Sequence, residues 1–144
     1  MTTVDAILLK KGRLVHTIEP DYSLHAAAGR LAQHKIGALV VCNGAGKMVG
    51  IISERDIVRA LAKSGASAIA RPVKDVMTKE VHTCGLHENV GSIMERMTTA
   101  KFRHFPVIVE EKVSGIISIG DVVKHRLEEI EQEQAALRDY IQQA

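Results

Sequence analysis

Aromatic residues are almost missing from this sequence. It has no Trp, two Tyr and two Phe, 3% of its 144 residues, so its core must be aliphatic. The same scarcity argues against the aromatic stacking platforms that hold single-stranded nucleic acids. Charge of one sign is also lacking: the net charge is +2, too small to argue for a DNA-binding face. The two cysteines, Cys42 and Cys84, imply no disulfide framework. No apolar run reaches the roughly 18 residues of a membrane span. The stretch from Met1 to Leu14 is apolar only in part, contains Lys10-Lys11, and has no signal-peptide architecture. These absences predict a soluble protein of a reducing cytoplasm, with neither nucleic acid nor membrane as a partner. What the chain has in quantity is hydrophobic residues, 46% of the total, enough to fill a core.

Those residues fall into an internal repeat. Gly50-Ile51-Ile52-Ser53-Glu54-Arg55-Asp56 returns as Gly115-Ile116-Ile117-Ser118-Ile119-Gly120-Asp121. Upstream, Val15-His16-Thr17 matches Val81-His82-Thr83, and Leu24, Ala27, Ala28 and Leu31 match Val90, Ile93, Met94 and Met97. Ala38-Leu39-Val40-Val41 is aligned with Phe105-Pro106-Val107-Ile108, and the lead-in Thr3 to Leu8 with Pro72 to Met77. The expected divisions are a first repeat over 1–65, a second over 66–125, and a helical extension over 126–144.

Each repeat reads alike. A lead-in (Val4 to Leu9, Val73 to Thr78) precedes a short strand at Val15 to Thr17 or Val81 to Thr83. A helix follows, with apolar residues at i, i+3, i+4 and i+7 and Ser23 or Asn89 placed as N-cap. The first-repeat helix closes near Lys35-Ile36-Gly37, the second near Lys101 to Arg103. Two strands come next, Ala38 to Cys42 and Met48 to Ile52, then Phe105 to Val109 and Val113 to Ile117. They are joined by the turn clusters Asn43-Gly44-Ala45-Gly46 and Glu110-Glu111-Lys112. A second helix opens at Ser53 or Ser118, ending at Ser64-Gly65 in the first copy, where a small-residue linker, Ala66 to Arg71, follows. A repeat of about 65 residues buries little surface alone, so the two are expected to pack together about a pseudo-twofold axis in an α+β fold. The helix from Ser118 has no stop signal. Val123, Leu127, Ile130, Gln134, Leu137 and Ile141 fall on alternating 4- and 3-residue steps, a short heptad seam with one polar position. A homodimer is expected from it.

Ser-x-x-Asp at a helix start is, in one copy, a capping box. Two copies, each after Gly-Ile-Ile and the same hairpin, resemble the tandem pair of CBS (cystathionine β-synthase) domains, also called a Bateman module. The resemblance covers roughly Val4 to Lys124. It implies two clefts between the repeats that bind adenosine-containing ligands: AMP first, with ADP, ATP, NADH or S-adenosylmethionine as others. By the family pattern Asp56 and Asp121 take the ribose hydroxyls, since a carboxylate accepts two hydrogen bonds. Ser53, Ser118 and Gly120 lie at ribose or phosphate. The adenine walls are Thr3, Val4, Leu8, Ile36, Gly37 and Ala38 in one cleft, and Val73, Met77 and Phe105 in the other. Arg55, Arg103 and His104 are the phosphate candidates, the Arg residues for their planar fork; the alternative for them is surface salt bridges with Glu54, Glu110 and Glu111. The copies are unequal. Asp121 is expected to go with Thr3, Arg103 and His104, and Asp56 with Arg55 and with Pro72, which lacks an N–H.

Other chemistry has little support. His82-Thr83-Cys84-Gly85-Leu86-His87 contains zinc-ligand types, but no fourth ligand is evident and no metal is expected. No nucleophile stands beside a base, and no paired acids share a cleft. The chain reads as a non-catalytic regulatory module acting on an unidentified protein partner, with an interaction or oligomerisation scaffold with vestigial clefts as the alternative.

Overall fold

The computed structural model describes residues 2–143; Met1 and Ala144 lie outside the described residues. The elements are α1 (Val4–Lys11), β1 (Thr17–Ile18), α2 (Leu24–His34), β2 (Ala38–Cys42), β3 (Met48–Ser53), α3 (Glu54–Ser64), α4 (Val90–Ala100), β4 (His104–Val109), β5 (Lys112–Ser118) and α5 (Ile119–Gln143). They form two compact units: Val15–Val81, and Met1–Leu14 together with His82–Ala144. The α+β class is as the sequence predicted. The compact units differ from the repeat bounds of 1–65 and 66–125 because each lead-in packs with the other repeat.

Backbone hydrogen bonds explain that exchange. The first amides of a helix have no partner within it. In α1 the amides of Val4 and Asp5 donate to the carbonyls of Glu88 (2.9 Å) and Leu86 (2.9 Å). At the other lead-in the amides of Val73 and Lys74 donate to Tyr22 (2.7 Å) and Pro20 (3.0 Å). These are corresponding places in the two repeats, just before the N-caps Asn89 and Ser23. Apolar burial agrees. Val4, Ile7 and Leu8 join Val90, Ile93, Met97, Phe105, Ile117 and Val122 in one core. Val73 joins Leu24, Leu31, Leu39, Ile52 and Ile57 in the other. The segment read as a linker is a 3₁₀ helix, Gly65–Ala70, and its Ala68 is buried in that second core.

Both amphipathic helices form where expected. Ser23 Oγ accepts from the Ala26 amide (3.1 Å) and Asn89 Oδ1 from the Ser92 amide (2.8 Å). Both helices end in a left-handed lysine, Lys35 (φ 54°) and Lys101 (φ 62°). In Val15–Val81, β1 pairs parallel to β2, and β2 antiparallel to β3. In the other unit the short strand expected at Val81 to Thr83 is reduced to a single bridge, Cys84 to Val107, beside the β4–β5 hairpin.

Strand register corrects one alignment. Ala38 pairs with Ser53, and His104 with Ser118. His104 therefore corresponds to Ala38, and Phe105 to Leu39, one residue away from the sequence match. Both segments are apolar runs without alternation, so the pattern could not select the register, and a one-residue slip moves every side chain to the other face.

The β4–β5 turn has an unusual composition. It is a two-residue loop in which Glu110 (φ 49°) and Glu111 (φ 66°) are both left-handed, the signature of a type I′ turn, which favours Asn-Gly. Left-handed backbone costs a side-chain-bearing residue about 1–2 kcal/mol. Replacing Glu110→Asn and Glu111→Gly together is expected to stabilise the protein by about 1 kcal/mol, read as a higher urea midpoint at unchanged m-value. An unchanged midpoint would show that the turn carries no such strain.

Candidate functional site

The site candidates lie where each hairpin turns into a helix. At the end of β3, Ser53 Oγ accepts from the Asp56 amide (3.2 Å), and Asp56 Oδ2 accepts from the Ser53 amide (2.9 Å) and hydroxyl (3.0 Å). At the end of β5, Ser118 Oγ accepts from the Asp121 amide (3.2 Å), and Asp121 Oδ2 accepts from the Ser118 amide (2.9 Å). Both are reciprocal capping boxes. Each helix start is also tied back to its sheet: the Glu54 amide donates to the Gly37 carbonyl (2.9 Å), and the Ile119 amide to the Arg103 carbonyl (2.7 Å). Gly37 and Arg103 thus hold the same position, beside a helix N-terminus where the helix dipole favours anions.

The glycine of each repeat motif has a steric task. A Cβ on Gly50 would come within 2.6 Å of Met77 Sδ and 2.8 Å of the Thr78 carbonyl oxygen. A Cβ on Gly115 would lie 2.9 Å from both Leu8 methyls. The lead-in crosses the strand here, and only a bare backbone lets it. The two places differ in what must give way, backbone at Gly50 and the end of a flexible side chain at Gly115. Gly50→Ala is expected to destabilise by about 1–3 kcal/mol and Gly115→Ala by less, measured by denaturant unfolding of both. Equal losses would refute the steric account.

The carboxylates sit in different surroundings. Asp56 is buried, 8% exposed. Its Oδ1 accepts from Thr78 Oγ1 (3.4 Å), with Arg59 at 3.8 Å. Asp121 is half-buried and carries a full ion pair: Lys11 Nζ lies 2.7 Å from its Oδ2 and also donates to the Ile116 carbonyl (2.8 Å). Burial alone would raise the Asp121 pKa. The Lys11 ammonium and the Ser118 amide and hydroxyl outweigh it and hold the carboxyl below its ordinary value, so Asp121 is an anion at neutral pH. Lys11 went unseen in the sequence because its partner lies 110 residues away; the only local signal was Lys10-Lys11 in the last turn of α1.

The remaining candidates divide by unit. Thr3, Val4, Leu8, Arg103, His104, Phe105, Ser118 and Gly120 belong with Asp121, while Ile36, Gly37, Ala38, Ser53, Arg55, Pro72, Val73 and Met77 belong with Asp56. The expected sets of adenine walls mixed the units. Thr3, Val4 and Leu8 are with Phe105, and Val73 and Met77 are with Ile36 and Ala38, because the lead-ins are exchanged. The side chains of Val4, Leu8, Val73 and Phe105 are wholly inside the cores, leaving the backbone as what these positions can offer a ligand. Ile36 and Gly37 also line a groove of about 550 Å³ between α2 and α3. Arg55 and Arg103 are exposed, and among the described residues neither forms an ion pair, against the salt-bridge alternative. His104 is half-buried opposite Ser118.

Cys84 and His82 pack against apolar neighbours. Burial pushes the Cys84 thiol up to about 12, Glu88 adding to the shift, which leaves it inert. The His82 ring lies against Phe102, with centroids 4.7 Å apart. Among the described residues no three His, Cys, Asp or Glu side chains are grouped to hold a metal ion, and no helix is long and apolar enough to cross a membrane.

The family model of the CBS domain matches residues 13–63 and again 73–128, one copy for each capping box. This chain belongs to the CBS-domain family. Among curated relatives, the mitochondrial CBS domain-containing protein CBSX3 of Arabidopsis thaliana is 34% identical, over 98% of this chain and 72% of its own length. Among solved structures, a CBS-domain containing protein from Agrobacterium tumefaciens superposes with a TM-score of 0.85 at 47% identity, covering 87% of this chain and 93% of that one. The CBS domain pair of protein MJ0100, solved in complex with 5′-methylthioadenosine and S-adenosyl-L-methionine, superposes with a TM-score of 0.79 at 28% identity, over 90% of this chain and 98% of that one.

Proposed function

We propose that this CBS pair is a non-catalytic regulatory module that binds an adenosine-containing ligand and signals its occupancy to a partner protein. The observation that carries the reading is the duplicated capping box with a carboxylate at its centre. In each copy Oδ2 is spent on the cap; Oδ1 of Asp56 accepts from Thr78 Oγ1 at 3.4 Å, and a carboxylate has about four acceptor sites in all, so each keeps acceptor capacity beside the helix start. A ribose diol supplies two donors to such a group. Asp56 and Asp121 are assigned the ribose, and Ser53, Ser118 and Gly120 the ribose or phosphate. Arg55, Arg103 and His104 are assigned the phosphates, to which Lys11 adds a cation beside Asp121. Thr3, Val4, Leu8 and Phe105 on one side, and Ile36, Gly37, Ala38, Val73 and Met77 on the other, supply the adenine surroundings. The MJ0100 complex supports the ligand class, because methylthioadenosine and S-adenosylmethionine both carry adenosine. AMP is our first choice, then ADP, ATP, NADH and S-adenosylmethionine. A signal requires the ligand to bind two arrangements of the module unequally. Both cysteines are free thiols, which suits a reducing compartment such as the cytoplasm.

Mass spectrometry of the denatured purified protein should release an adenosine compound, and calorimetry with the five ligands should rank them. No binding of any of them at millimolar concentration would overturn the reading and leave a scaffold with vestigial clefts, the role that the exposed apolar row of α5 would then fill.

A further inference from the structure

The C-terminal half of α5 has nothing to lean on. No residue from 131 to 143 is buried or half-buried, and a helix of about a dozen residues is marginal in water by itself. Yet it carries Leu137, Tyr140 and Ile141, 59%, 72% and 63% exposed. Leu137 and Ile141 continue a row that begins at Val123 and Leu127, both exposed, and half-buried Ile130. The contacts of α5 with its own unit use another face: Val122 and His125 are buried, and Glu128 and Glu129 reach Lys10 and the Thr2 amide. The row is therefore a seam without a partner in this chain.

We propose that α5 pairs with α5 of a second copy as a parallel, in-register, two-stranded coiled coil. Leu127, Gln134 and Ile141 take the a positions, and Val123, Ile130 and Leu137 the d positions. The core residues are mixed in shape, so the flanking charges choose the orientation. In a parallel pair each g residue meets the e residue five further along the other helix. Arg126 then meets Glu131, and Glu133 meets Arg138, both attractive. An antiparallel pair faces g with g and, with Gln134 central, sets Glu133 near Glu133 of the other copy. Gln134 at a specifies register in the way buried polar residues do. Arg126 also contacts Glu129 of its own helix, so Glu133 with Arg138 is the cleaner probe.

The full chain, studied without any ligand, tests this independently of the nucleotide reading. Sedimentation equilibrium at micromolar concentration should give twice the 15.7 kDa chain mass. Leu137→Glu should weaken association about 30-fold or more, without loss of helix content elsewhere, since the residue is exposed in the monomer. Arg138→Glu should weaken it about fivefold, and adding Glu133→Arg should restore it. In a chain carrying Cys42→Ala, Gln134→Cys should form a disulfide-linked dimer on mild oxidation, and Ala136→Cys, off the seam, should not. A monomeric or higher-order wild type would overturn the proposal. So would a dimer indifferent to Leu137→Glu and to the charge swap, or cross-linking equal at both cysteine positions or absent at Gln134→Cys.

Discussion

Asp121→Asn is expected to weaken AMP binding by about 10- to 150-fold, the range for removing a charge-assisted hydrogen bond worth about 1.5–3 kcal/mol. The isosteric change is preferred to Ala because it separates binding from folding. An asparagine oxygen can still accept from the Ser118 amide that now bonds Asp121 at 2.9 Å, so the helix stays capped. What is lost to stability is the half-exposed ion pair with Lys11, worth about 0–1 kcal/mol. Asp56→Asn provides the second arm. If each unit contributes its own ribose carboxylate, each substitution should abolish one of two binding events and leave the other. Our expectation for a single occupied site is the one built around Asp121, which has Lys11, Arg103 and His104 on its side. In that case Asp56→Asn leaves the titration unchanged. Unaltered affinity in both variants would remove the carboxylates from the ligand site.

Ile7→Ala is expected to cost about 2–5 kcal/mol, as truncations of buried aliphatic side chains do. Ile7 is fully buried in the core that also contains Ile93, Phe105 and Ile117. The location of the loss is the informative part. Residue 7 lies in the lead-in of the first repeat, but it is buried in the core of the second. Hydrogen exchange should show protection falling most in α4, β4 and β5, and least in α2, β2 and β3. Val73→Ala is the converse, since Val73 is fully buried among Leu24, Leu39 and Ile57, and the protection lost there should be that of Val15–Val81. The opposite distribution in either variant would show that each lead-in is held by its own repeat after all.

Much of this molecule could be read from the chain because the signals are local. Ser23 and Asn89 cap helices because a short polar side chain reaches an amide three residues on, and that geometry needs no tertiary partner. The paired Ser-x-x-Asp motifs are legible for the same reason, and their duplication in the same order of elements pointed to the family. The register of β2 and β4 was not legible: runs such as Ala38 to Val41 lack the alternation that would mark a buried face, and only the hydrogen-bonded pairing of His104 with Ser118 resolves the slip. The segment 65–70 looked like a linker because small residues carry little pattern, whereas burial of Ala68 depends on a neighbour that only the fold brings close.

The glycines of the two motifs mark the boundary most clearly. Sequence shows that Gly50 and Gly115 recur, and local chemistry explains the caps that follow them. That a lead-in from the other repeat crosses over each one, Met77 and Thr78 at Gly50 and Leu8 at Gly115, could not be read from the chain. The contacts span 27 residues in one case and 107 in the other, and nothing in short-range pattern distinguishes a lead-in that packs on its own repeat from one that packs on its twin. Amides in search of carbonyls and apolar side chains in search of a core made that choice, and it also set Lys11 against Asp121.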